Sequence, residues 1–170
     1  MPDRVHLDHA ATTPTLPEAW EAMRAVPPGN PASAHAIGRQ ARRALEDARE
    51  RVAELLGADP GEVVFTSGAT EANNLAVFGL AGDPPGHVVA GPVEHPCVAE
   101  PLRRLAERGF TVEYLPVGRD GVVDVDALPG LLRPDTRLVT VQLVNHETGA
   151  VAGSRQQAAG SKAEEASLLP

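Results

Sequence analysis

Short apolar segments alternate regularly with helical segments along most of this chain, and this alternation restricts its fold more than any other feature. The main candidate strands are rich in apolar and β-branched residues and occupy residues 87–90, 110–115 and 136–144. The candidate helices have apolar residues at three- and four-residue spacing and occupy residues 17–25, 33–56, 71–80, 98–108 and 125–132. Because strands that alternate with helices pair in parallel, the pattern predicts a three-layer α/β fold with a mainly parallel sheet and flanking helices.

The composition is that of a globular protein and argues against several kinds of partner. Of the 170 residues, 42% are hydrophobic and 22% are charged, which is typical of a globular domain. Fifteen basic and 23 acidic residues give a formal charge of −8, so we expect no nucleic-acid partner. No apolar run is long enough for a membrane span or a signal peptide, so we expect no membrane association and a cytoplasmic location. The single cysteine, Cys97, excludes an internal disulfide.

Residues 63–74 combine an apolar segment, a turn of small residues and the start of a helix. Residues 63–65 are β-formers that follow an Asp-Pro-Gly turn, which predicts a short buried strand. Thr66 or Ser67 is expected to cap the helix that follows, with Glu71 available to its first turn.

The small residues of this turn also suit a phosphate. Gly68 and Ala69 allow a ligand to approach the backbone closely, and Thr70 adds a hydroxyl donor. The amides that lack a partner at a helix start carry a partial positive charge, which favours an anion. The alternative is an ordinary capped turn between a strand and a helix, because many helix starts have this composition.

Two polar residues follow other candidate strands, at the sheet edge where ligands of parallel sheets bind. His95 comes after the strand at 87–90, and its imidazole could stack on a flat ring or transfer a proton; the alternative is a surface histidine. Asn145 ends the last candidate strand, and its amide could donate to a ligand oxygen; the alternative is turn formation. Glu94, His95 and Cys97 match no recognised metal-ligand spacing, so we predict no metal site.

Five short motifs follow one another along the chain. They are LDHAATTP at 7–14, GNPASAH at 29–35, FTSGATEANN at 65–74, EH at 94–95 and VNHETG at 144–149. Taken together, they resemble the motifs of the cysteine desulfurases, which are pyridoxal-phosphate enzymes of the class V aminotransferase group. The resemblance covers residues 5–151 and implies part of the large domain of a fold-type I pyridoxal-phosphate enzyme. Selenocysteine lyases and other class V aminotransferases have similar motifs and are alternatives within the family.

The resemblance implies a role for each residue that matches a cofactor-binding position. Gly68, Ala69 and Thr70 match the positions that bind the phosphate of pyridoxal phosphate, which agrees with the helix-start argument. His95 matches the catalytic histidine that stacks on the pyridine ring and takes part in proton transfers. Asn145 matches the asparagine that contacts the phenolic oxygen of the cofactor and lies near the substrate carboxylate.

The resemblance also implies a reaction and its partners. Cysteine desulfurases remove sulfur from L-cysteine, which leaves alanine and an enzyme persulfide, and they pass the sulfur to an acceptor such as an iron–sulfur scaffold protein. The complete enzymes are homodimers. The segment that contains Ala11 matches the N-terminal part that reaches the active site, so Ala11 and Asn145 are the expected substrate-binding residues.

The chain departs from the family pattern in its catalytic residues. The family holds pyridoxal phosphate as a Schiff base on a lysine, but the only lysine here, Lys162, follows Asn145 too closely and lacks the adjacent histidine of that motif. Cys97 directly follows the Glu-His motif, where the family has no persulfide-forming cysteine. We therefore expect a truncated cysteine desulfurase that is inactive as this chain alone. The alternatives are a subunit of a split enzyme and a non-catalytic interaction module.

The expected organisation has three parts. Residues 1–32 form an N-terminal arm and a short helix, and residues 33–151 form a partial cofactor-binding α/β domain. Residues 152–170 have no apolar period, which predicts a disordered tail that diverges from the family, as a truncation or a frameshift would produce.

Overall fold

A computed structural model of the chain describes residues 5–9 and 11–153. Lys162 and residues 154–170 of the predicted tail lie outside the described residues. Among the helices of the described ranges, none is both long and apolar enough to cross a membrane.

The chain divides into two compact units, Met1–Phe65 and Thr66–Pro170. The first unit contains helix α1, Pro17–Ala25, and the longer helix α2, Ala36–Leu56. Both helices agree with the predicted segments. The predicted boundary between residues 32 and 33 falls inside the first unit, and the three-part organisation stays a prediction.

Close backbone contact sets the start of α2. A Cβ atom on Gly38 would lie 2.3 Å from the carbonyl oxygen of Ser33, so only glycine fits where the preceding loop packs on the helix. The His35 Nδ1 atom accepts a hydrogen bond from the Gly38 amide at 3.3 Å and caps the helix. At the other end, Gly57 adopts the left-handed conformation with φ of 65° and terminates α2.

The second unit is built on a parallel sheet of three strands. They are β1 (His87–Ala90), β2 (Thr111–Tyr114) and β3 (Thr136–Thr140), in the order β2-β1-β3. Val88 of β1 lies opposite Val112 and Leu138 of its two parallel neighbours. Every residue of β1 is buried, as expected for the central strand of a covered parallel sheet.

Helices cover both faces of this sheet. They are α3 (Ala69–Ala81), α4 (Pro96–Glu107) and the short α5 (Leu128–Leu131), which follows a 3₁₀ turn at Val125–Ala127. Val88 and Ala90 pack with α3 and α4, whereas Val89 packs on the opposite face with residues that include Leu128. This alternation is the two-residue period of a strand. The predicted three-layer α/β fold with a parallel sheet is therefore confirmed.

The predicted strand at residues 63–65 is wrong. Val63 is extended, but residues 63–65 pair with no strand within the described chain, and Val64 is 72% exposed. The Val63 carbonyl accepts a hydrogen bond from the Arg49 guanidinium, and the same guanidinium lies 5.1 Å from the centre of the Phe65 ring. A β-forming composition alone does not make a strand, because a strand also needs a neighbour for its backbone groups.

The third strand is shorter than the predicted 136–144. It ends at Thr140, because the Gln142 amide donates to the Glu94 carboxylate at 2.6 Å instead of continuing the ladder. Val144 then forms an isolated antiparallel bridge with Val151. This early end leaves residues 141–149 free to form the loop that carries Asn145.

Candidate functional site

Helix α3 begins without a side-chain cap in the described structure. Its N-cap residue is Gly68, so the prediction of a Thr66 or Ser67 cap is wrong. The Thr66 hydroxyl donates to the Gly68 carbonyl at 3.0 Å. The Ser67 amide and hydroxyl both donate to the Glu71 carboxylate, at 2.7 and 2.6 Å. The sequence indicated that polar residues lie at this helix start, but it did not give their hydrogen-bond partners. A glycine N-cap has no side chain, so the sequence carries no signal for it.

The contacts of Glu71 explain how an acidic residue fits at this helix start. The two hydrogen bonds from Ser67 hold the pKa of the Glu71 carboxyl below its usual range. They also direct the carboxylate toward Ser67, so the Ser67 donors are already used. A Cβ atom built on Gly68 would have no neighbouring atom within 4 Å, so the space beside this residue is open. A phosphate therefore has room to approach the first amides of α3, which makes this helix start compatible with the phosphate of pyridoxal phosphate.

An open groove of about 450 Å³ lies between the first half of α3 and helix α4. Its lining consists of Thr70, Asn74, His95, Pro96, Cys97, Glu100, Pro101 and Arg104. Thr70 and His95 were predicted as phosphate-binding and ring-binding residues, and the fold brings them to the same groove.

His95 caps helix α4 with its side chain. The Nδ1 atom accepts a hydrogen bond from the Cys97 amide at 3.1 Å. Because Nδ1 is the acceptor, the neutral ring carries its hydrogen on Nε2. The residue is exposed, so its ring is accessible to a ligand. Both the surface position and a ligand-binding role are compatible with this arrangement.

Asn145 is buried and organises the turn that follows β3. Its Oδ1 atom accepts hydrogen bonds from the Glu147 and Thr148 amides, both at 2.9 Å. Its Nδ2 atom donates to the Val93 carbonyl at 3.1 Å. The alternative prediction of turn formation is thus observed. The carboxamide nitrogen carries two hydrogens, so the second remains a candidate donor to a ligand oxygen.

Glu94 and Gln142 connect the loop after β1 to the loop after β3. Gln142 donates its backbone amide to the Glu94 carboxylate and its side-chain amide to the Val93 carbonyl. Burial raises the pKa of Glu94, and the hydrogen bond from Gln142 partly opposes that rise. Neither contact was predicted, because the partners lie 48 and 49 residues apart in the sequence.

His146 is a second imidazole of this region; the sequence placed it in the VNHETG motif but gave it no role. Its ring centre lies 4.6 Å from that of His95, and the two planes are inclined at 68° in an edge-to-face arrangement. The available signal was its position directly after Asn145, at the same edge of the sheet as His95.

The remaining predicted residues have different surroundings. Ala11 belongs to the first unit and is exposed, and its role in substrate binding stays a prediction. Cys97 is buried, and its Sγ atom accepts a hydrogen bond from the Asn73 carboxamide at 3.0 Å. In the part of the chain that the structure describes, no group of three or more His, Cys, Asp or Glu residues is arranged to hold a metal ion.

Comparison with known proteins identifies the family. The family model for class-V aminotransferases matches residues 5–169, and so includes the segment that we expected to diverge. The chain is 44% identical over 157 residues to the cysteine desulfurase IscS of Dictyoglomus turgidum, covering 89% of this chain and 40% of that protein. It is 47% identical over 154 residues to the mitochondrial cysteine desulfurase of Arabidopsis thaliana, covering 86% of this chain and 34% of that protein.

Solved structures give the same result. A NifS-like protein superposes with a TM-score of 0.81 at 37% identity, covering 88% of this chain and 43% of that chain. SspA in complex with cysteine superposes with a TM-score of 0.80 at 36% identity, covering 95% of this chain and 48% of that chain.

The parallel sheet with flanking helices is the fold of the pyridoxal-phosphate-dependent enzymes that these structures represent. The chain belongs to the class-V aminotransferase family, and its relatives are cysteine desulfurases. It spans 40% and 34% of the length of the two curated relatives described above.

Proposed function

We propose that this chain forms the phosphate-binding and ring-binding part of the pyridoxal-phosphate site of a cysteine desulfurase. The observation that carries the proposal is the groove in which Thr70, at the uncapped start of α3, and His95 both take part. Pyridoxal phosphate, when bound, supplies an electron sink for chemistry at the α-carbon of an amino acid.

The residues of the chain have distinct roles in this proposal. The first amides of α3, from Ala69 and Thr70, and the Thr70 hydroxyl donate to the phosphate. His95 contacts the pyridine ring and holds a proton at Nε2, because its Nδ1 atom is engaged by the Cys97 amide. Asn145 directs the second hydrogen of its Nδ2 atom to the phenolic oxygen, while its other polar atoms maintain the turn.

The proposed substrate of the complete enzyme is L-cysteine, and its proposed sulfur acceptor is an iron–sulfur scaffold protein or a similar protein. The names of the relatives and the cysteine complex of SspA support L-cysteine as the substrate. A homodimer is the proposed assembly of the complete enzyme. The 170-residue chain has one lysine, Lys162, and we propose that this residue does not act as the cofactor lysine, so the chain alone does not desulfurate cysteine.

Activity and binding test the two parts of this proposal separately. Purified chain supplied with pyridoxal phosphate and L-cysteine should release neither sulfide nor alanine, and release of either product contradicts the inactive assignment. Binding of pyridoxal phosphate is followed by the phosphorus NMR signal of its phosphate. Thr70→Ala should weaken binding about ten-fold, because a hydrogen bond to a charged group is lost. Thr15→Ala, at an exposed threonine of the first unit, is the matched control and should not change affinity.

A subunit of a split enzyme is a second candidate, favoured by the surface of α3. Leu75 and Leu80 are 56% and 65% exposed, although Val77 and Ala81 of the same helix are buried in the core. The proposed occupant is a polypeptide that carries the remaining part of a cysteine desulfurase, including its lysine. Such a polypeptide should co-purify with this chain in a pyridoxal-phosphate-containing complex, and a Leu75→Glu/Leu80→Glu variant should abolish the complex. If the double variant binds the polypeptide as well as the wild type, this candidate is wrong.

A further inference from the structure

We propose that His146 is a positioning residue of the cofactor site, which holds the imidazole ring of His95 in the orientation needed to stack on a flat heteroaromatic ring. This inference rests on the proposed cofactor site and adds to it a residue that contacts His95 instead of the ligand.

The first argument is the contact itself. The two ring centres are 4.6 Å apart and the planes are inclined at 68°. This is the edge-to-face geometry that aromatic pairs prefer. It places the edge of one ring against the face of the other.

The second argument is that His95 needs a further constraint. Its hydrogen bond from the Cys97 amide holds the ring only at Nδ1. The ring is otherwise attached only through its Cγ atom, so one hydrogen bond still allows some rotation about the Cβ–Cγ bond within the angular tolerance of the hydrogen bond. Contact with His146 at another part of the ring restricts this motion, so the cap and the ring contact together define the imidazole plane.

The third argument is that the fold presents His146 rigidly. The Gly149 amide donates to the Asn145 carbonyl at 2.9 Å, and the Asn145 amide donates to the Ala150 carbonyl at 2.8 Å. The Asn145 side chain binds the Val93 carbonyl, two residues before His95. The turn that carries His146 and the loop that carries His95 are therefore joined by a direct hydrogen bond.

The surroundings of His146 indicate that its ring matters more than its charge. Its Nε2 atom lies 3.6 Å from the Glu147 carboxylate, which is too long for a hydrogen bond, and the Glu147 side chain is 80% exposed. A phenyl ring at position 146 should therefore hold the His95 ring as the imidazole does. An alanine should not.

The experiment uses the full 170-residue chain with nitrogen-15-labelled histidines. Two quantities are measured: the ring resonances of His95 and the affinity for pyridoxal phosphate. His146→Ala should broaden or shift the His95 ring signals and weaken binding about three- to ten-fold, because one aromatic contact is lost. His146→Phe should restore the His95 signals and bring the affinity to within about two-fold of wild type. Thr70→Ala should weaken binding but leave the His95 ring signals unchanged.

Two results would overturn the inference. One is a His95 ring spectrum that does not respond to His146→Ala. The other is a His146→Phe variant that binds pyridoxal phosphate as weakly as His146→Ala, which would mean that His146 acts through a polar contact and not through its ring. If the wild type does not bind pyridoxal phosphate, the proposed function fails, but the His95 spectra of the two variants still decide whether His146 positions the ring.

Discussion

His87 and His95 lie at opposite ends of the same strand region and have contrasting surroundings. His87 begins β1 and is fully buried, with Nδ1 at 2.8 Å from the Thr136 hydroxyl. Its Nε2 atom has no hydrogen-bond partner in the described structure and lies 3.6 Å from the Glu113 carboxylate. His95 follows the carboxyl end of β1 and is exposed beside a groove.

The two imidazoles have the same hydrogen arrangement but different uses. The Thr136 hydroxyl oxygen accepts from the Arg133 amide, so its hydrogen is available to donate to His87 Nδ1. The Glu113 carboxylate, 3.6 Å from His87 Nε2, also favours a hydrogen on that atom, so we expect His87 and His95 both to carry the hydrogen on Nε2 when neutral. In His87 this N–H is buried and lies near the Glu113 carboxylate, whereas in His95 it is available to a ligand. Position relative to the strand, and not residue type, separates a structural histidine from a candidate catalytic one.

The largest expected effect is on stability and comes from the buried histidine. His87→Ala should lower the free energy of unfolding by about 3 kcal/mol, because it leaves a cavity and removes the partner of the Thr136 hydroxyl. His95→Ala should cost only about 1 kcal/mol, the value of one helix cap. Urea unfolding of both variants measures the difference. Equal losses, or a larger loss for His95→Ala, would break the contrast between the two residues.

Substitution of Asn145 tests whether the carboxyl edge of the sheet also contains a residue that stabilises the fold. Asn145→Ala should lower the free energy of unfolding by about 2 kcal/mol, because the Glu147 amide, the Thr148 amide and the Val93 carbonyl lose their partner. The matched control is Asn30→Ala, which removes one exposed hydrogen bond to the Ala32 amide and should cost about 0.5 kcal/mol. A loss no greater than that of the control would mean that the Asn145 turn forms without its side chain.

Glu94 should produce a smaller effect that depends on pH. Burial raises the pKa of the Glu94 carboxyl in the folded chain. The folded state therefore favours the protonated carboxyl, and this contribution to stability is present at pH values below the ordinary carboxyl pKa. It is lost as pH rises through the raised pKa of the folded chain. As pH rises from the ordinary carboxyl range through the raised pKa, wild type should therefore lose stability relative to Glu94→Gln. The difference should stay below about 1 kcal/mol because the side chain is only half-buried.

Urea unfolding at several pH values measures this change. Glu54→Gln, at an exposed position of α2, is the control for the loss of one charge. A wild type that gains stability relative to Glu94→Gln as pH rises would show that the hydrogen bond from Gln142 outweighs burial.

The parts of the fold that depend on local patterns were predicted well, and those that depend on distant partners were not. The strand predicted at 87–90 has these bounds, and the helix predicted at 98–108 is present at Pro96–Glu107. Residues 63–65 have strand composition but lack a pairing neighbour in the described chain. In the site, His95 was predicted as a candidate from its place after a strand, whereas its contact with His146 joins residues about fifty positions apart and depends on the tertiary fold.

The central claim, that the start of α3 binds the phosphate and His95 binds the ring, is tested most directly by pyridoxine 5'-phosphate and pyridoxine. These alcohols lack the aldehyde that could react with the amine of Lys162. Calorimetric titration of the full chain should show the phosphate ester binding at least about 30-fold more tightly. Thr70→Ala should reduce this ratio, and His95→Ala should weaken both ligands equally and leave the ratio unchanged. Equal affinity of the wild type for the two compounds would contradict the claim.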